Sequence, residues 1–112
     1  MLDVVVDLRK GSPTFKKHFT VELSEDNKKQ IFVPRGFGNG FSVLSKDAIL
    51  QYKCDNFYNA KSEGSVKWDD SELLIDWGLK KEDIILSDKD NTAPLLKEAK
   101  YLFDYNDDLY DL

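Results

Sequence analysis

From Leu2 to Cys54 the apolar positions fall into short alternating runs divided by turn-forming residues, a pattern that predicts strands rather than helices. The run Leu2-Asp3-Val4-Val5-Val6-Asp7-Leu8 is rich in β-branched residues and predicts a strand buried on much of both faces, closed by Lys10-Gly11-Ser12-Pro13. His18 to Leu23 predicts a second strand, with Phe19, Val21 and Leu23 on one face and His18, Thr20 and Glu22 on the other. Ser24-Glu25-Asp26-Asn27 is turn chemistry, because short polar side chains bond the local backbone in place of a ladder. Lys29 to Val33 predicts a third strand ending at Pro34. Gly36, Gly38 and Gly40 then predict a loop whose backbone can approach something closely, before apolar character returns at Phe41, Val43 and Leu44. Ala48 to Cys54 predicts a further strand, Ile49, Gln51 and Lys53 alternating with Leu50, Tyr52 and Cys54.

Beyond Asp55 the pattern loosens, and the packed pieces are Val66-Lys67-Trp68, Leu73 to Trp77 and Ile84-Ile85-Leu86. Ala93 to Phe103 predicts a short C-terminal helix, with Leu95, Leu96, Ala99 and Phe103 at helical spacing and Pro94 in its first turn. Strands recurring about every ten residues indicate an all-β class, an antiparallel sandwich or barrel.

Composition sharpens this picture. In 112 residues, 41% are hydrophobic and 12% aromatic, enough for the modest core of one domain and against disorder. The 16 Lys and Arg against 21 Asp and Glu give a net charge of −5. Four of the acids, Asp104, Asp107, Asp108 and Asp111, stand in the stretch from Tyr101 to Leu112, which holds no Lys or Arg. The expected division is a folded domain over 1–100 and an acidic, solvated tail over 101–112. No basic cluster exceeds Lys16-Lys17 or Lys28-Lys29, which argues against nucleic acid as a partner. No apolar run approaches the roughly 20 residues of a membrane span and the start lacks a basic signal region, so the expected location is the cytoplasm. One cysteine, Cys54, and one histidine, His18, exclude an internal disulfide and a structural zinc site.

Pro34-Arg35-Gly36-Phe37-Gly38-Asn39-Gly40-Phe41, with Val4 to Arg9 and Ser12-Pro13-Thr14-Phe15 upstream, resembles the second half of the dTDP-4-dehydrorhamnose 3,5-epimerase family. Further segments agree in order: Val21-Glu22-Leu23-Ser24 with Asn27-Lys28, Tyr52-Lys53-Cys54, Phe57-Tyr58, Trp68-Asp69-Asp70 with Ile75-Asp76-Trp77, and Leu86 to Asp90 running into Ala93-Pro94-Leu95-Leu96. The resemblance implies a cupin-like antiparallel jelly roll, here incomplete at the amino terminus. It also implies a homodimer, or completion by another chain, and an isomerase that needs no cofactor. Family members invert carbons 3 and 5 beside the C4 ketone of dTDP-4-dehydro-6-deoxyglucose, on the route to dTDP-rhamnose and polysaccharide. A base removes the proton alpha to the carbonyl and an acid returns one on the opposite face.

Residue by residue, Tyr52 matches the family's general acid, a phenol that stays protonated at neutral pH; read without the family it is a barrel-wall tyrosine packing its ring. Asp90 matches the aspartate that orients the base histidine; alone it is a loop or helix-entry carboxylate. The base itself belongs to an upstream Gly-Val-Leu-Arg-Gly-Leu-His type of segment without a counterpart in these residues. His18 matches a non-catalytic strand site and is not expected to replace it. Asn39 stands where the family has histidine and where metal-binding cupins place a ligand. With an amide there and Val43 at the motif's closing position, no metal site is expected. Asn39 is expected to contact a substrate hydroxyl or phosphate, or to serve as a turn residue. Tyr58 resembles the tyrosine lining the sugar-nucleotide pocket, or covers the barrel mouth. Ser71 and Gly78 replace family prolines. Two alternatives stay open: a non-catalytic cupin-like module for sugar-nucleotide binding or assembly, and an epimerase for another nucleotide sugar such as a capsule heptose.

Overall fold

The computed structural model describes residues 1–100 and 102–111. Its centre is a three-stranded antiparallel sheet of β1 (Leu2–Asp7), β3 (His18–Glu22) and β4 (Phe37–Ser42), ordered β3-β1-β4. Two shorter strands, β2 (Arg9–Lys10) and β5 (Phe103–Asp104), pair in parallel. As its apolar run predicts, β1 is the middle strand and is buried from Asp3 to Asp7.

The register fixes which side chains share a face. Val4 lies opposite Thr20 on one side and Gly40 on the other, while Val5 lies opposite Phe19 and Asn39. Val4 and Val6 join Leu73 and Leu96 in the core, with Leu8, Val66, Ile75, Trp77 and Leu102 packed around them. The opposite face presents Asp3, Val5, Asp7, Phe19, Phe37, Asn39 and Phe41.

The glycine-punctuated stretch expected as a loop is instead strand β4. Its glycines are explained by what packs on them: a Cβ on Gly40 would lie 2.9 Å from Cη2 of Trp77, and one on Gly38 would lie 2.9 Å from Cδ1 of Leu8. The expectation of close approach was therefore right and the backbone class was not. Gly36, at φ +91°, forms the turn into the strand.

Asp7 organises the connection from β1 to β3. Its carboxylate accepts from the Arg9 backbone N at 3.0 Å, Arg9 Nε and Nη2 at 2.9 Å, Ser12 Oγ at 2.6 Å and Thr14 Oγ1 at 2.5 Å. Asp70, equally buried, joins distant segments: Oδ2 accepts from the Leu96 N at 2.7 Å and Oδ1 from the Glu72 N at 2.8 Å.

Three expected elements differ. Residues 29–33 and 48–54 form no strand, because no third or fourth neighbour among the described residues offers them a ladder. The helix expected over Ala93–Phe103 shrinks to one 3-10 turn, Leu96–Glu98; Tyr101 within that range lies outside the described residues. Burial of Leu96, capture of its N–H by Asp70 and the pairing of Phe103–Asp104 with β2 override local helix propensity. One four-residue helix, α1 (Asp88–Asn91), begins at Ser87, whose Oγ accepts from the Asp90 N.

The ends of the expected acidic tail, Tyr101 and Leu112, also lie outside the described residues. Between them the four aspartates face solvent while rings and backbone contact the body. The Arg9 guanidinium lies 4.5 Å from the centre of the Phe37 ring and 5.0 Å from that of Tyr105. Arg35 donates its backbone N to the Tyr110 hydroxyl at 3.0 Å and Nη1 to the Leu109 carbonyl at 2.8 Å.

Candidate active site

Residues 52–63 curl into an open hollow of about 780 Å³ lined by Tyr52, Cys54, Asp55, Asn56, Phe57, Tyr58, Asn59, Ser62 and Glu63. Both phenols expected at the site, Tyr52 and Tyr58, therefore share one concavity, where they are 74% and 80% exposed. The hollow is held by its own turns. Asn59 caps the 3-10 turn Ala60–Ser62 by accepting from the Lys61 N, and Arg35 Nε donates to Asp55 Oδ2 at 2.8 Å.

Asp90 does not line this hollow; it sits in α1, exposed. The two are linked through neighbours, since Lys89 Nζ reaches Glu63 Oε2 at 3.2 Å and ties α1 to the rim. Asn39 lies elsewhere, on β4, where its side-chain amide donates to Asp3 Oδ1 at 2.6 Å and to the Val4 carbonyl at 3.1 Å. Among the described residues the expected four thus divide into a tyrosine pair, a carboxylate on the adjoining turn, and an amide across the sheet.

Asp3 is a polar residue that the sequence reading passed over. It is 3% exposed, and burial raises its pKa above its ordinary value against the opposing effect of the Asn39 hydrogen bond. Its signal was a carboxylate inside an otherwise apolar run, which strand patterning alone treats as an interruption. Asp7 carries the opposite perturbation: the Arg9 guanidinium, with the Ser12 and Thr14 hydroxyls, holds its carboxyl far below the usual range. One carboxylate is pinned as an anion and the other is pushed toward the neutral acid on the same face of one strand.

His18 stands exposed on β3, opposite Val6. Among the described residues no three His, Cys, Asp or Glu side chains gather as metal ligands. Trp68 and Trp77 line a smaller hollow of about 270 Å³ with Asp69, Ile75, Asp76, Leu79, Lys81 and Ile84. The Trp77 indole donates to the Trp68 carbonyl at 2.9 Å, and the Trp77 carbonyl accepts from Ser42 Oγ at 2.6 Å.

The sequence profile described as dTDP-4-dehydrorhamnose 3,5-epimerase matches residues 1–98. The chain belongs to the dTDP-4-dehydrorhamnose 3,5-epimerase family. It is 41% identical over 104 residues to the epimerase of Methanothermobacter thermautotrophicus, covering 91% of this chain and 56% of that one. A crystal structure of the epimerase from Elizabethkingia anophelis matches with a TM-score of 0.86 and 57% identity, over 89% of this chain and 55% of that one. The epimerase from Legionella pneumophila, solved in complex with dTDP-4-keto-L-rhamnose, matches at 0.83 and 40%, over 95% and 57%. The chain thus spans about half the length of the curated relatives it matches, and corresponds to a carboxy-terminal part of the epimerase. Its strands belong to the cupin-like jelly roll of that family. No helix among the described residues is long and apolar enough to cross a membrane.

Proposed function

We propose that this chain supplies the acid half of an epimerase active site for dTDP-4-dehydro-6-deoxyglucose. Tyr52 protonates the enolate carbon, and Asp90 orients a base histidine furnished from outside these residues. Removal of a proton alpha to the C4 ketone leaves an enolate, and a neutral phenol on the opposite face returns a proton with inversion. Tyr58 lines the sugar end of the hollow, and Asn39, whose NH₂ group is spent on Asp3 and the Val4 carbonyl, keeps only its Oδ1 to accept from a substrate hydroxyl. The observation that carries this reading is the shared concavity of Tyr52 and Tyr58, with the Lys89–Glu63 ion pair anchoring the Asp90 turn at its rim. The ligand in the Legionella pneumophila structure, a dTDP-linked keto sugar, supports the substrate class.

The test is turnover in deuterated water by the chain combined with the amino-terminal portion of a relative. Label should enter at C3 and C5 with inversion, and Tyr52→Phe should lower formation of the inverted product by about 10²–10⁴-fold while ligand binding survives. Unchanged formation of inverted product by that variant would refute the assignment. The high exposure of Tyr52 favours a second reading for the chain by itself, namely sugar-nucleotide binding without turnover. Calorimetric heat without isotope exchange is its signature.

A further inference from the structure

We propose that Arg35 is a positioning residue for the tyrosine-bearing wall of the larger hollow, residues 52–59, and that a carboxy-terminal strap, residues 103–110, sets its guanidinium in place for that task. The inference deepens the reading of Tyr52 and Tyr58 as site residues, and rests on that reading for its consequence in turnover.

The strap is a built segment. Phe103–Asp104 pairs with β2, the Phe103 N donates to the Leu8 carbonyl at 3.2 Å and the Tyr105 N to the Lys10 carbonyl at 2.9 Å. Beyond the pairing, Asp104 Oδ1 accepts from the Asn106 N at 2.9 Å and Asp108 Oδ1 from the Tyr110 N at 3.0 Å. Two acids of this stretch thus serve as turn formers, and they carry the chain to the turn that precedes β4. There Leu109 seats on Gly36, where an added Cβ would lie 2.8 Å from Leu109 Cδ1, and the Tyr110 ring lies 5.2 Å from the Arg35 guanidinium. These residues follow the matched region 1–98, so the strap is an addition to what the family profile describes.

Arg35 joins the strap to the wall with one rigid group. On the strap side, Nη1 donates to the Leu109 carbonyl at 2.8 Å while the flat face lies over Tyr110. On the wall side, Nε donates to Asp55 Oδ2 at 2.8 Å and Nη2 to the Asp55 carbonyl at 3.4 Å. Asp55 lines the hollow midway along the sequence between Tyr52 and Tyr58. A lone exposed ion pair holds a loop poorly, because solvent screens it and side-chain freedom opposes it. Here the Asp55 side chain is 59% exposed but that of Arg35 only 20%, since the strap already orders it. A planar, pre-set fork then meets both the carboxylate and the carbonyl of one residue, a geometry that an ammonium does not reproduce. Loss of the strap's grip frees the guanidinium and, through it, the wall.

The chain carries its own probes: one cysteine, Cys54, exposed beside Asp55, and two arginines whose Nε groups each donate to a carboxylate. A nitroxide on Cys54 of the full chain reports the mobility of the wall by electron paramagnetic resonance. Proton–nitrogen correlation spectra read the Arg35 Nε–H, with that of Arg9 as internal control. Tyr110→Ala alters the strap and leaves Arg35 and residues 52–59 intact; Arg35→Lys keeps the charge and removes the fork. Each should shorten the rotational correlation time of the label about twofold or more, with circular dichroism unchanged. Tyr110→Ala should also displace the Arg35 Nε–H resonance and spare that of Arg9, while Tyr110→Phe, which keeps the ring, should free the label less. An unchanged label in these variants overturns the proposal, as does an Arg35 resonance that Tyr110→Ala leaves in place; a strap that only stabilises the fold would move thermal unfolding and neither signal. With the amino-terminal portion of a relative supplied, the unlabelled Tyr110→Ala and Arg35→Lys variants should form inverted product about tenfold more slowly at saturating substrate. A freed label with unchanged product formation supports the clamp and removes the reading of the hollow as the acid wall.

Discussion

Replacing Asp7 with alanine removes the acceptor of five hydrogen bonds, three of them from Arg9. Asp7 is 1% exposed, and breaking a fully buried ion pair costs about 3–5 kcal/mol because the surviving charge is stranded. Here the Arg9 side chain keeps 24% of its surface in solvent and stacks on two rings, so its charge stays partly hydrated. The loss should therefore fall at about 2–4 kcal/mol, most of it from the lost Ser12 and Thr14 hydrogen bonds, the loosened turn and the vacated space. With a urea dependence of about 1–3 kcal/mol per molar for a small domain, the midpoint should drop by roughly 1–3 M. Circular dichroism against urea measures it.

Acid supplies a second readout of the same substitution. The folded-state pKa of Asp7 lies below its unfolded value, so its stabilisation is complete above the unfolded value near 3.9 and is lost as pH falls towards the folded one. Asp3 has the reverse sign: burial raises its pKa, its ionised form costs the native state stability at neutral pH, and protonation relieves that cost as pH falls through the raised value. Asp7→Ala should flatten the acid limb of the stability profile below about pH 4 and leave the Asp3 contribution in place. A variant as stable as the parent within about 0.5 kcal/mol, with an unchanged acid limb, would show that the network is decorative.

Substitutions at three further positions probe other contacts. Gly40→Ala sets a methyl against Trp77, whose indole is anchored to the Trp68 carbonyl and cannot easily retreat; the urea midpoint should report a loss of about 1–3 kcal/mol. Asp70→Ala leaves the buried Leu96 N–H without its acceptor and should cost about 1–3 kcal/mol, with faster exchange at that amide, whereas Asp70→Asn should lose less because one oxygen still accepts. Tyr110→Phe removes only the hydroxyl that accepts from the Arg35 N, so thermal unfolding should shift by no more than about 1 kcal/mol equivalent, while the Arg35 amide exchanges faster.

Much of the fold was legible because β1 and β3 announce themselves through local alternation, and the turn between them is written in Gly11, Ser12 and Pro13. Strand β4 was not, because its glycines answer to Trp77 and Leu8, residues distant in sequence or across the sheet, and propensity carries no record of such neighbours. The same limit affected residues 93–103, where the decisive contact is a carboxylate from Asp70, and residues 48–54, where alternation is present but no strand among the described residues pairs with it. The two tyrosines were singled out through the family pattern and not through local alternation, and they line one hollow. Asp3 escaped notice because a buried acid in a core strand reads as noise until its partner, Asn39, is placed beside it.

The two arginines of the chain are both already engaged: Arg9 with Asp7, Phe37 and Tyr105, Arg35 with Asp55, Tyr110 and the Leu109 carbonyl. Each guanidinium thus spends its forked donors and its flat faces on holding the polypeptide together. A strong grip on an anionic group must then come from lysines or from residues outside these 112, so anion capture by this chain as given should be weak and steeply quenched by added salt.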